Sequence, residues 1–125
     1  HADNDSLLSL VVHRQEQLAG HIEFFRILID GQPSAVGLGP MCLKPEAQGR
    51  GIGSALVRMG LTIMNGRGES IVFVLGHPEF YTRLGFSAEA AAPFRAPWSG
   101  PAFMAQVINP GAPVSGELTY PAAFG

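Results

Sequence analysis

The segment Gln48-Gly49-Arg50-Gly51-Ile52-Gly53 constrains this chain more than any other. Three glycines alternate directly before an amphipathic run. Each lacks a Cβ, so another molecule can approach the main chain closely. The first turn of the helix that follows leaves about four N–H groups unpaired, at the positive end of the helix dipole. A pyrophosphate is the natural guest of such a site. Ser54 adds a hydroxyl donor and Arg50 a charge. A nucleotide-binding P-loop needs Gly-Lys-Ser/Thr, and no lysine precedes Ser54. A dinucleotide fold needs Gly-x-Gly-x-x-Gly in a tight strand-to-helix turn, with an acid ending the next strand. Here the spacing is Gly-x-Gly-x-Gly, and the next strand ends in Leu75-Gly76-His77, without an acid. Both alternatives fit poorly.

The flanking sequence supplies the scaffold. Leu7 to Arg14 and Leu18 to Ile29 are rich in aliphatic and β-branched residues, and the polar link Gln15-Glu16-Gln17 is short enough to permit only an antiparallel hairpin. Asp30-Gly31-Gln32-Pro33 is a turn signal. The third strand, Ala35 to Leu43, contains Gly37, Gly39 and Pro40. Proline cannot complete a central ladder, so a bulge or splay is expected there. A helix is expected over Ser54 to Met64, with Ile52, Ala55, Leu56, Met59 and Ile63 as its apolar stripe and Asn65-Gly66-Arg67-Gly68 as its stop. Ser70 to Leu75 reads as a central strand covered on both faces. Pro78 opens a short helix to about Leu84, capped by Gly85, with Phe86 plugged into the core. In the C-terminal third, Ala102 to Ile108 is a strand, and Phe94 to Ala96 and Glu117 to Tyr120 are brief extended pieces.

Composition narrows the function classes. A chain of 125 residues without repeats or linkers suits one domain, residues 1–125. Apolar residues make up 46% and charged residues 14%, which favours a buried core over disorder. The formal net charge of −2 provides no basic excess to coat a nucleic acid. No apolar run approaches the ~20 residues of a membrane span. The N-terminus lacks a signal-peptide pattern, so a cytoplasmic protein is expected. The single Cys42 rules out an internal disulfide, and four scattered histidines give no ligand spacing, so no metal site is expected.

The glycine segment resembles the acetyl-CoA signature of the GCN5-related N-acetyltransferases (GNAT), Arg/Gln-x-x-Gly-x-Gly/Ala, with Gln48, Gly51 and Gly53 at the signature positions. Leu43-Lys44-Pro45-Glu46 looks like the family's strand end, and Tyr81-Thr82-Arg83-Leu84-Gly85-Phe86 like its Tyr-x-x-x-Gly-Phe element. The resemblance covers about Leu7 to Ile108. Gly20-His21-Ile22 and Leu75-Gly76-His77-Pro78, with Phe80-Tyr81, further resemble the branch of the bacterial YhbS-like acetyltransferases. The resemblance implies an α/β (α+β) acyl-CoA N-acyltransferase fold. Its sheet, of about six strands, is mixed and mainly antiparallel, with a splayed parallel pair at the cofactor slot.

The resemblance also implies roles. The pantetheine arm of acetyl-CoA would run along Met41, Cys42 and Leu43, chiefly on the main chain of Met41 and Leu43. Gln48, Gly49, Arg50, Gly51, Ile52, Gly53 and Ser54 would hold the pyrophosphate, and Arg83 a nucleotide phosphate. Tyr81 would protonate the departing thiolate, since a phenol with an ordinary pKa of ~10 keeps its proton at neutral pH. The acceptor would be a primary amine of a small molecule or peptide, attacking directly, with no metal. His21, Glu23, His77 and Glu79 are candidate bases by chemistry alone, and a water relay is equally open. A strand cysteine is usually a small buried hydrophobe, and no basic neighbour of Cys42 is visible, which argues against a covalent acetyl-enzyme. Trp98 either lines an acceptor pocket or packs on its own loop. The sequence opens almost at the hairpin, so the family's opening strand and two helices are expected either to be absent from it or to have their place taken by something else, and His77-Pro78 stands where the family often has asparagine. A catalytically silent acyl-CoA-binding module of the same fold is the alternative. Oligomeric state is open, a homodimer being common in the family.

Overall fold

The computed structural model describes residues 5–122. Aliphatic alternation builds the hairpin first: β1 (Ser6–Arg14) and β2 (Gln17–Ile29) pair antiparallel. β3 (Gln32–Leu43) returns antiparallel on the other side of β2. A 3-10 turn at Pro45–Ala47 and the glycine loop lead into α1 (Ile52–Gly66). β4 (Ile71–Leu75) then lies parallel to β3. Two short helices follow, α2 (Pro78–Thr82) and α3 (Ala88–Ala91), then β5 (Phe94–Arg95), β6 (Phe103–Val107) and β7 (Gly116–Thr119). The sheet order is β5-β7-β2-β3-β4-β6, and β1 takes the half of β2's outer edge that β7 leaves. Among the described residues the sheet has seven strands where about six were expected, because both brief C-terminal pieces pair. No helix among the described residues is long and apolar enough to cross a membrane.

The sheet separates two cores. On one face Ile22, Phe24, Val36, Leu38, Val72 and Val74 pack against α1 and α2. On the other, Phe25, Ile27, Phe73, Phe94, Phe103 and Leu118 form a second, aromatic-rich core. Phe24 and Phe25 thus point to opposite faces, as adjacent strand residues must. β4 is buried from Ile71 to Val74, as a strand covered on both faces should be.

The buried stripe of α1 differs from the expected one. Gly53, Leu56, Val57, Gly60 and Met64 are buried, while Met59 is 55% exposed and Ala55 lies outward. The helix is rotated because Gly60 has no side chain: the Phe24 ring fills that space, and a Cβ there would overlap it. Hydrophobic periodicity counts glycine as empty, whereas here Gly60 is where the Phe24 ring seats against the helix. The helix stop is as expected. Gly68 adopts φ +85°, Glu69 N–H donates to Met64 O and Gly68 N–H to Asn65 O, the two bonds of a Schellman ending. α3 was not expected. Its signal was Ser87, whose Oγ accepts from Ala90 N at 3.1 Å, before an Ala-Glu-Ala-Ala run.

Candidate functional site

The parallel pair separates where proline sits. β3 and β4 pair only at Val36, Gly37 and Leu38, opposite Val72, Phe73 and Val74. On its other side β3 continues along β2, but Gly39 and Pro40 together oppose the single residue Glu23, which is a bulge. Beyond it, Met41, Cys42 and Leu43 pair with Ile22, His21 and Gly20 and, among the described residues, have no partner strand on the β4 side. Lys44 N–H donates to Ala19 O of β2 at 2.8 Å. Since strand main-chain groups alternate in direction, Cys42 also turns its N–H and C=O to β2. Met41 and Leu43 turn theirs outward into the gap. The gap is therefore a slot with one ordered polar edge.

The glycine loop stands at the end of that edge. Gly49 and Gly51 have φ of +75° and +77°, and around each the space a Cβ would enter is open. Gly51 is the N-cap of α1 and supplies no capping side chain; the first helical turn carries no acid. The first bond of the helix is donated by Ala55 to Gly51 O, and the amides of residues 49–54 have no acceptor among the described residues. These amides are orphan donors at a helix start of fifteen residues. Gly53 does something else. It is buried, and its Cβ position lies 3.3 Å from Leu43 and 3.5 Å from Met41 and Phe80, so it seats the helix start against the slot. A diphosphate joined to an extended amide-bearing arm fits this arrangement: anion donors at one end, an unpaired strand edge leading away.

The charged and polar members of the signature fold back on the protein. Gln48 Nε2 donates to Leu43 O at 3.3 Å, occupying the last outward carbonyl of β3. Arg50 Nε donates to Glu46 O at 2.9 Å and Arg83 Nε to Glu79 O at 3.0 Å; both arginines are exposed. Ser54 and Ile52 are half-buried in the first turn. Cys42 is exposed rather than buried, and its cross-strand partner is His21, so the expected burial and the absence of a basic neighbour are both corrected. Cross-strand pairing, which sequence separation hides, brings them together.

Tyr81 is 6% exposed and packs edge-on to Phe80 and Phe86, with ring centroids 4.8 and 5.7 Å away. Gly76, at the tip of β4, leaves room for its ring. Burial raises its phenol above the ordinary value of 10.0, so it stays protonated across the neutral range. Among the candidate bases, His21 and Glu23 share the face of β2 that carries Phe25, and Glu23 opposes the bulge while accepting a 3.0 Å bond from Ser6 Oγ. His77 and Glu79 are exposed at the start of α2.

Trp98, expected either to line a pocket or to pack on its own loop, lines a cavity of ≈ 300 Å³ on the aromatic face, where β3 and β4 part; sequence reasoning missed the cavity's other walls. Phe25, Phe73, Trp98 and Tyr120 wall it, with Gly39 and Pro40 at the bulge. Its residues come from five separate parts of the chain. Among the described residues no three His, Cys, Asp or Glu side chains gather to hold a metal ion.

The model of the acetyltransferase (GNAT) domain matches residues 5–88, two thirds of the chain. The chain belongs to the GNAT acetyltransferase family. Among its relatives, the Escherichia coli (strain K12) protein named uncharacterized N-acetyltransferase YjhQ is 39% identical over 82 residues, 63% of this chain and 45% of that protein. YhbS of the same strain, likewise named an uncharacterized N-acetyltransferase, is 33% identical over 95 residues, 74% of this chain and 57% of that protein. The chain spans about half the length of these curated relatives. A crystal structure of E. coli YhbS in complex with CoA matches with a TM-score of 0.87 at 30% identity, over 98% of this chain and 71% of that one. A GNAT family acetyltransferase from Brucella melitensis, in complex with acetyl-CoA, matches with a TM-score of 0.79 at 34% identity, over 97% of this GNAT chain and 70% of that one. The fold and the YhbS-like branch expected from the motifs both hold.

Proposed function

We propose that this GNAT chain binds acetyl-CoA and transfers its acetyl group to a primary amine by direct attack. One observation carries the reading: the orphan amides of residues 49–54 stand beside a strand edge that β4 abandons after Leu38. CoA and acetyl-CoA in the two solved relatives support it. Acetyl-CoA, when bound, supplies a thioester carbonyl open to attack and a thiol as leaving group.

The chain's own residues divide the remaining work. The helix-start amides and the open backbone of Gly49 and Gly51 hold the diphosphate. The outward N–H groups of Met41 and Leu43 orient the arm and offer a donor to the carbonyl oxygen as charge develops there. Gln48 ties the end of β3 to the loop, so that both parts of the site move as one. Tyr81, kept neutral by burial, donates a proton at its hydroxyl. Glu23 or His21, on the opposite face and beside the bulge, accepts the amine proton directly or through water.

A second reading has one observation in its favour: among the described residues no carboxylate or imidazole lines the aromatic cavity itself. In that case the chain is an acyl-CoA-binding module without turnover. Calorimetry with acetyl-CoA, followed by free-thiol detection across a panel of primary amines, separates the two. Binding with thiol release supports the transferase. Binding without release from any amine supports the module. No binding at millimolar acetyl-CoA refutes both.

A further inference from the structure

The cavity where β3 and β4 part selects its occupant by what lines it. Phe25 comes from β2, Phe73 from β4, and Trp98 and Tyr120 from beyond β5 and β7. Trp98 and Tyr120 meet edge to face, centroids 4.7 Å apart at 73°, and Phe25 meets Tyr120 at 6.0 Å and 50°. None of the lining residues is Asp, Glu, Lys, Arg or His. A carboxylate on an occupant would leave water without gaining a counter-charge, and a second ammonium would meet only ring faces, whose cation–π attraction offsets only part of its lost hydration. A ring or a short alkyl tail would gain both burial and edge-to-face contacts. The ≈ 300 Å³ volume is at the small end for ligand sites and fits one ring, not a peptide.

Position adds the second half of the argument. The glycine loop and α1 lie on the sheet face of Phe24 and Leu38, whereas this cavity lies on the face of Phe25 and Phe73. The gap after Leu38 and Val74 joins the two faces. A group arriving along Met41 and Leu43 from one side thus meets an occupant of the cavity from the other.

We propose that the cavity is the acceptor subsite and that it takes the apolar tail of a small monoamine, of the arylalkylamine type, in preference to diamines, amino acids and peptides. The proposal rests on the acetyl-transfer reading for its chemistry, but its binding half can be measured alone. Trp98 is the only tryptophan, so indole fluorescence reports the cavity directly. Phenethylamine, ethanolamine and putrescine are titrated into the 125-residue chain, with and without CoA. A saturable change is expected with phenethylamine, at a dissociation constant at least ~10-fold below those of the other two. Leu75, 50% exposed at the rim, gives the companion variant. Leu75→Glu adds a carboxylate without disturbing the core, and should weaken phenethylamine and strengthen putrescine. Equal affinities for the three amines, or no saturable change with phenethylamine at millimolar concentration, overturns the proposal. Thiol release from acetyl-CoA in the same samples separates the two ideas. Phenethylamine bound, with no thiol release from any of the three amines, overturns acetyl transfer and keeps the cavity as an amine-binding site. Thiol release with equal kcat/KM for all three amines keeps transfer and overturns the subsite.

Discussion

Gly51 offers the sharpest test of the cofactor site, because its effects on folding and on binding can be computed apart. It is the N-cap of α1 at φ 77° and ψ 5°, and beyond its chain neighbours no atom of the described residues lies within 4 Å of the position a Cβ would take. Gly51→Ala therefore meets no clash inside the protein. It bears only the left-handed backbone penalty of an L-residue, about 1–2 kcal/mol, which lowers the Tm of a chain this size by ~3–8 °C. Binding should suffer more. The methyl group occupies the open space in front of the orphan amides and holds a diphosphate away from them. Losing one charge-assisted hydrogen bond removes about 1.5–3 kcal/mol, or ~10- to 150-fold in Kd. Gly51→Glu adds a like charge in the same place and should abolish binding. Calorimetry with acetyl-CoA, alongside a thermal melt, reads both effects. A folded Gly51→Glu protein that binds within about twofold of the parent chain would show that the diphosphate is held elsewhere.

Tyr81→Phe should lower turnover at least ~10-fold while leaving acetyl-CoA affinity nearly unchanged, if its hydroxyl is the proton donor; equal thiol-release rates would assign the residue to packing. Gly60→Ala should destabilise the fold by about 1–3 kcal/mol through overlap with Phe24, with no change in acetyl-CoA affinity once folded; urea unfolding reads the first and calorimetry the second, and a neutral substitution would contradict the helix placement. Burial pushes the Tyr120 phenol up from 10.0 to about 12, with the Trp98 side chain opposing part of the rise. The unfolded chain then loses this proton first, so the contribution is complete below pH ~10 and disappears as pH climbs toward ~12. Denaturant midpoints measured across that window should fall, and Tyr120→Phe should flatten the fall; an identical slope in the variant would exclude Tyr120 as its source.

Parts of the site were legible because their signals are local. Proline at position 40 cannot donate to a ladder, and the β3–β4 pairing does stop beside it. Glycine lacks a Cβ, so close approach to the main chain was expected, and the space a Cβ would enter at Gly49 and Gly51 is open. The role of Gly53 was not legible, since its contacts with Leu43, Met41 and Phe80 come from two other elements. Nor was the inward folding of Gln48, Arg50 and Arg83, each of which finds a carbonyl four or five residues away. The same holds for the clasp that closes the far end of the sheet. Arg26 meets Glu69 through two bonds of 2.9 and 2.7 Å, and nothing in the spacing of 43 residues announces it.

Alternation, turn chemistry and glycine placement act within a few residues, so the chain's own order determined its strands, its central helix and a helix start bare of capping groups. Which side of that helix is buried depended on the ring of Phe24 finding the vacancy at Gly60. The aromatic cavity required Phe25, Phe73, Trp98 and Tyr120 to converge from positions up to ninety-five residues apart. Such meetings are set by sheet order and strand register, which balance many weak contacts at once, and no stretch of the chain carries them alone.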